Sequence, residues 1–309
     1  VKVLITGCNG LVGQKLVELF ARCNFLQPIL TSYHESTWYD ETELPYRRMD
    51  IRSRKEVREI IDELEPEIIV NAAAIANVDM CERERAIAWQ TNVGGTENLI
   101  YAAKLVGAKI IHLSTDYVFD GKGGPYDEYA RPNPINYYGK TKLAAENILK
   151  SSGVDYAIAR IIFLYGAGYQ TKKDFTSRIL AALEMGATVR APEDQYSNPT
   201  LADDVAYAIL KIIERKKSGV YHIGGPEWIN RYEFARKIAA AFGYDKRHIL
   251  PVMAVSLQSE AQRPLRSGFI TLKASIDLDL KTTSIEQGLM VLKSQLQLQA
   301  KRVQESSLT

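Results

Sequence analysis

A chain of 309 residues with 39 basic and 37 acidic side chains carries a formal charge of only +2, so nucleic acid and anionic membrane find no electrostatic hold on it. Its 46% hydrophobic content suits a globular protein with a sizeable core, and no apolar run approaches the ~18 residues of a membrane span. Cys8, Cys23 and Cys81 form no disulfide framework and no metal-ligand spacing, and an apolar run opens the chain, so a cytoplasmic protein without bound metal or signal segment is expected.

Short apolar runs at 1–5, 28–32, 68–71, 109–113 and 155–160 alternate with helical patterns at 11–23, 55–63, 87–106 and 137–151. This is the rhythm of βα units on a parallel sheet, and the near-continuous Ile, Val, Leu and Ala of the strands predicts helices on both faces. The fold class expected is a doubly wound α/β sheet.

Between the first strand and first helix stands Gly7-x-x-Gly10-x-x-Gly13. Glycines there permit a tight turn and close approach of a pyrophosphate to backbone N–H groups, and the helix N-terminus adds its dipole. Gly7, Asn9, Gly10, Leu11, Val12 and Gly13 are therefore the predicted cofactor cradle. The second strand ends in Ser32-Tyr33-His34-Glu35, with neither an acid placed for a ribose 2′-hydroxyl nor an Arg for a 2′-phosphate. Arg47 and Arg48 follow nearby. NADPH is the expected cofactor, with NADH as the alternative.

The fourth of these strands runs into Ser114-Thr115-Asp116, and Tyr138 and Lys142 lie four apart in the next helical segment, on one face. A free tyrosine, with a pKa of about 10, is a poor acid–base catalyst near neutrality. A neighbouring ammonium lowers that value, and a hydroxyl at the strand end orients a carbonyl. Beyond residue 160 the rhythm becomes irregular. Helical patterns at 175–185, 201–215 and 230–242 surround a strand at 219–223, and 251–271 reads as loops and short strands. The final segment, 284–309, carries an apolar stripe through Ile285, Leu289 and Leu292 and fades into a polar tail. Residues 1–165 are read as the dinucleotide-binding domain, with 201–224 returning to it, and 166–309 mainly as a smaller, interleaved substrate lobe.

The glycine spacing and the order Thr115, Tyr138, Lys142 resemble the extended short-chain dehydrogenase/reductases. That resemblance implies a Rossmann-like fold, Asp50 and Ile51 at the adenine, and Ala72, Ala73 and Ala74 beside the ribose and pyrophosphate. It also implies a catalytic Thr115–Tyr138–Lys142 triad, with Lys142 on the nicotinamide ribose. Within that superfamily the chain resembles the dTDP-4-dehydrorhamnose reductases. The matching residues are Asn77–Glu82, Ser114–Gly121, Tyr138–Leu143 with Glu146, Asp194-Gln195, Pro199-Thr200, Asp203-Asp204, and Arg263-Pro264 with Ser267. The implied activity is NAD(P)H-dependent reduction of the 4-keto group of a nucleotide-linked 6-deoxyhexulose, in dTDP-L-rhamnose synthesis. Val78, Asp79, Thr115, Asp116, Tyr138, Phe163 and Arg263 would line the substrate site, and a homodimer is expected of the family.

Arg263 suits a diphosphate through its planar fork. Asp79 and Glu82 read equally as caps of a helix starting near Glu84, and Asp116 as a turn-organising carboxylate. Phe163 stands where these reductases carry a tryptophan, Ser197 replaces a glycine, and Phe269 a leucine. Two other readings stay open. One is a sugar-nucleotide epimerase or dehydratase using its nicotinamide transiently. The other is a non-catalytic regulatory subunit resembling the β subunit of methionine adenosyltransferase.

Overall fold

Strand β1 (Lys2–Thr6) pairs in parallel with β2 (Gln27–Ser32) on one side and β4 (Ile68–Asn71) on the other, so Leu4 sits opposite both Ile29 and Ile69. The computed structural model describes residues 1–38, 43–171 and 174–306. With β3 (Tyr46–Arg48), β5 (Lys109–Thr115), β6 (Tyr156–Ile161) and the strand Gly219–Ile223 these form a seven-stranded sheet. Its order from the far edge is Gly219–Ile223, β6, β5, β4, β1, β2, β3. The chain reverses direction of growth between β1 and β4, which opens a crevice at their carboxyl ends.

Helices cover both faces because the strands present apolar side chains to both. On one face lie α1 (Leu11–Phe20) and, from much later in the chain, α8 (Ala202–Glu214) and α10 (Leu272–Leu278). There Leu16, Val17, Ile209 and Ile213 pack on Val3 and Ile5. On the other face lie α2 (Arg54–Leu64), α5 (Gly95–Val106) and α6 (Tyr137–Ser151), where Val57, Ile61, Leu99 and Leu149 pack on Leu4, Ile69 and Ile110. Ser53 and Asn136 cap α2 and α6 by accepting from the backbone N–H groups of Glu56 and Gly139.

The remaining lobe contains α7 (Phe175–Glu184), α9 (Arg231–Phe242) and α11 (Ile285–Ser306) around Ile179, Phe234, Ile238 and Leu289. Ile285, Leu289 and Leu292 are all buried there, so the C-terminal apolar stripe serves the chain's own core. The polar tail expected after it ends in residues outside those described.

Three of the differences from expectation bear on the cleft. The segment predicted as one helix over 87–106 divides into α4 (Arg85–Trp89), a π-helical turn Gln90–Gly94 and α5. The widened turn brings in Asn92, whose side chain exchanges hydrogen bonds with the backbone N–H and C=O of Ile75 and donates to Thr141 Oγ1. A helix α3 (Val78–Arg83) occupies a stretch too short for a periodic signal, so Asp79 and Glu82 lie within it and do not cap a helix starting near Glu84. Asn77 is its cap. Strand β3 went unpredicted because it has three residues, two of them exposed arginines. Among the described residues no helix is long and apolar enough to cross a membrane.

The carboxylate of Glu146 in α6 ties this framework together. It accepts from Ser114 Oγ (2.6 Å) on β5, from Arg160 Nε and Nη2 (2.8 and 2.7 Å) on β6, and from Lys150 Nζ (2.9 Å). Burial opposes its charge, but Arg160, Lys150 and Ser114 together outweigh that and hold it at about 2. Glu146→Ala leaves a buried guanidinium uncompensated and is expected to cost roughly 3–5 kcal/mol, read by chemical denaturation. Because the folded value is depressed, the stabilisation is present above the ordinary 4.5 and lost as pH falls toward about 2. The variant's pH–stability curve is therefore expected to be flatter over that window.

Candidate active site

The crevice widens into a cleft of about 1790 Å³ between the sheet's carboxyl edge and the lobe. Ordinary small-molecule sites occupy about 300–1,000 Å³, so this one has room for two ligands side by side. Gly7 has φ +67°, and a Cβ there would sit 2.8 Å from Ala73 Cα. Gly13 presses on the same turn, where a Cβ would collide with the Gly7 carbonyl oxygen and come within 2.7 Å of Cys8 Cα. Helix α1 can therefore lie close against β1. Its N-cap is Gly10, which offers no side-chain acceptor, so the first-turn N–H groups are left for a ligand.

Gly7, Asn9, Gly10, Leu11, Asp50, Ile51, Ala72, Ala73 and Ala74 all line the cleft. Val12 and Gly13 do not; they hold the helix in place from behind. Asn9 uses its side chain to pin the loop after β2, donating to Ser32 Oγ and Ser36 O and accepting from Trp38 N. Asp50 grips its neighbour Arg52 through contacts of 2.6–3.0 Å, which lowers its pKa and presents both side chains to the cleft. Arg47 and Arg48 are engaged with Glu63, and with Glu35 and Glu56.

At the other end the cleft reaches Thr115, Asp116, Tyr117 and Tyr138. Burial holds Tyr138 well above the ordinary phenol range; a hydrogen bond from Thr115 works against this, and the Asp116 charge works with it. This corrects the expectation that Lys142 lowers it. Lys142 Nζ lies beneath, 3.2 Å from His112 Nε2, and does not line the cleft. Tyr138 is thereby kept as a phenol, the form that gives up a proton.

Val78 and Asp79 enter the cleft from α3, and Phe163 from the lobe side. Arg263 is expected near the substrate, with a fork suited to a diphosphate, and it does line the cleft. Its two terminal nitrogens donate to both oxygens of Asp79 at 2.7 and 2.6 Å, holding that carboxyl at about 2. Asp116 is buried, accepting from Ser267 Oγ at 2.6 Å, and burial raises its pKa. Glu82 Oε1 accepts from the Tyr137 N–H, joining α3 to the start of α6.

Sequence reasoning missed Arg231. Its guanidinium lies 3.1 Å from the centre of the Phe163 ring, and its Nε is buried without a partner. Burial lowers it to about 10. Arg178 also lines the cleft, and neither arginine forms an ion pair with the described residues. The one signal available was position: a cation at the first residue of a helix opposes the helix dipole. Among the described residues no cluster of His, Cys, Asp and Glu is arranged to hold a metal.

The family model described as RmlD substrate binding domain matches residues 1–297. The chain belongs to this family. The probable low-salt glycan biosynthesis reductase Agl14 of Haloferax volcanii is 32% identical over 296 residues, covering 94% of this chain and 96% of that one. The methionine adenosyltransferase 2 subunit beta of Rattus norvegicus is 30% identical over 280 residues, covering 85% and 78%. Among solved structures, a dTDP-4-dehydrorhamnose reductase from Clostridium acetobutylicum superposes with a TM-score of 0.86 at 29% identity, covering 96% of this chain and 100% of that one. One from Bacillus anthracis, in complex with NADP, gives 0.81 at 31%, covering 94% and 98%.

For a member of the RmlD substrate binding domain family, the Gly7–Gly13 contact is the most exacting part of the cradle. Gly13→Ala should push α1 off the turn and weaken NADPH binding by more than about tenfold, read by quenching of intrinsic fluorescence. Unchanged affinity would place the cofactor elsewhere.

Proposed function

We propose that this chain is a sugar-nucleotide reductase that reduces the 4-keto group of a nucleotide-linked 6-deoxyhexulose, with dTDP-4-dehydrorhamnose as the first substrate to test. The observation that carries this reading is the single cleft joining the glycine cradle to the Thr115–Tyr138 pair. NADPH, or NADH in its place, supplies the hydride when bound. Residues 1–165 with 201–224 hold it through Gly7, Asn9, Gly10, Leu11, Asp50, Ile51 and Ala72–Ala74, while the rest of 166–309 closes on the sugar nucleotide.

Thr115 donates to the substrate carbonyl and orients it, and Tyr138 delivers its proton as the oxygen gains charge. Phe163 offers a face to the sugar. Arg231 and Arg178, which form no ion pair among the described residues, take the substrate phosphates in the role expected of Arg263, which instead fixes the cleft wall through Asp79. The likeness to methionine adenosyltransferase 2 subunit beta supports one rival, a regulatory subunit without turnover.

The deciding experiment follows NADPH and NADH oxidation with enzymatically prepared dTDP-4-keto-6-deoxy-L-lyxo-hexulose and identifies the product by mass spectrometry. Formation of dTDP-rhamnose is expected. No oxidation, together with co-elution with a methionine adenosyltransferase, sinks the reductase reading. Tyr138→Phe is expected to lower kcat roughly 10²–10⁴-fold with NADPH affinity retained. Arg231→Met should raise KM about 10–100-fold with kcat little changed, the loss of one charge-assisted hydrogen bond.

A further inference from the structure

The outer end of the cleft, past strands β2 and β3, holds an arginine that the chemistry above leaves unused. Along the sheet the order β1, β2, β3 sets a ruler of about 4.8 Å per strand. The glycine turn follows β1, Tyr33 and His34 follow β2, and Asp50 to Arg52 follow β3. A dinucleotide whose pyrophosphate rests on α1 lays its adenosine outward along this edge, with the ribose over the end of β2. An acid there takes a free 2′-hydroxyl, and an arginine takes a 2′-phosphate. Ser32, Tyr33 and His34 supply neither.

The polar groups around the end of β2 are spent on one another. Asn9 Nδ2 donates to Ser36 O and Ser32 Oγ at 3.0 and 3.2 Å, while its Oδ1 accepts from Trp38 N. The Tyr46 hydroxyl gives its hydrogen to the His34 carbonyl, so Ser32 gives its own to Tyr46 Oη at 2.8 Å. Ser32 Oγ also accepts from His34 N, which together with Asn9 fills both of its lone pairs. A ribose diol therefore finds no free acceptor on Asn9 or Ser32. Among the described residues Asp50 is the carboxylate lining this end of the cleft, and both its oxygens are turned to Arg52.

Arg52 is held side-on. Its backbone N–H donates to Asp50 Oδ1, its Nε lies 2.9 and 3.0 Å from the two carboxylate oxygens, and its Nη2 donates to Oδ2 at 2.6 Å. A guanidinium carries five N–H groups in a fixed fork. Nε–H and one Nη2–H face Asp50, which leaves both hydrogens of Nη1 and the second of Nη2. Among the described residues these have no partner, and the side chain lines the cleft. We propose that Arg52 is the specificity-determining residue of the cofactor site, its free end-on N–H pair taking the 2′-phosphate of NADPH in preference to the bare diol of NADH. The proposal rests on reading this cleft as a nicotinamide-dinucleotide site. Asp50 acts through Arg52: by fixing the plane of the fork before the ligand arrives, it reduces the ordering that binding costs.

The test is run on the cofactor-free protein with four ligands, so it needs no turnover of a ketosugar. Adenosine 2′,5′-bisphosphate is compared with 5′-AMP, and NADPH with NADH, by isothermal titration calorimetry. In the wild type the 2′-phosphorylated member of each pair is expected to bind at least about tenfold tighter. The Arg52 side chain is 38% exposed, so Arg52→Gln leaves the core intact. That variant should weaken adenosine 2′,5′-bisphosphate and NADPH about 10–100-fold, while 5′-AMP and NADH stay within about twofold. Arg52→Lys, which keeps the charge without the fork, should recover only part of the loss. Equal affinities within each pair in the wild type overturn the proposal. So does an Arg52→Gln loss shared by all four ligands, since the arginine would then serve the adenine or the fold. His34 lines the same end of the cleft, and a selective loss in His34→Gln that Arg52→Gln does not show also overturns it. Selective binding with no oxidation of NADPH by the ketosugar sinks the reductase reading alone and leaves Arg52 in its role.

Discussion

One buried carboxylate sets the distances on which the site depends. Glu146 reaches β5 through Ser114 and β6 through Arg160, and it stands two helical turns from Tyr138 in α6. Ser114 immediately precedes Thr115, so the same contact that docks the helix also sets the hydroxyl against the phenol. A charge in that position costs several kcal/mol in desolvation, and it is tolerated because Ser114, Arg160 and Lys150 supply its donors. With the helix fixed, Tyr138 faces the cleft while Lys142, one turn further, is directed down to His112.

The cleft has two kinds of wall. At the sheet edge, close packing at Gly7 and Gly13 brings a helix N-terminus and its free N–H groups to the surface, a neutral but polarised cradle. On the lobe side the cations are full charges. Among the described residues some of them are paired with a carboxylate and others are not. Arg263 bridges to Asp79, 184 residues away in sequence, and so draws the lobe against α3. Arg83 repeats the link with Glu260. Arg231 and Arg178 have no such partner among the described residues.

The Phe163–Arg231 stack gives physical content to a departure from the related reductases. A tryptophan at that position would offer a flat face and one N–H donor. Here the face is a phenyl ring, and the donors come from a guanidinium lying on it. That guanidinium belongs to a residue far along the chain, at the first position of α9.

The sequence by itself determined the parallel α/β sheet, because strands apolar on both faces require helices on both, and the glycine spacing after β1 required a helix N-terminus at the cleft. That Thr115, Tyr138, Gly7, Gly10 and Leu11 would face one cleft was legible because each lies at a strand end or within the first turn or so of a helix, where local spacing fixes direction. Tertiary structure decided the rest. Whether Arg263 is free or paired depends on Asp79, whether Lys142 meets the phenol or an imidazole depends on His112 from strand β5, and Arg231 gains meaning only when Phe163 lies beneath it. A charge's role is set by the nearest opposite charge and by loss of water, and both depend on contacts between residues distant in the chain.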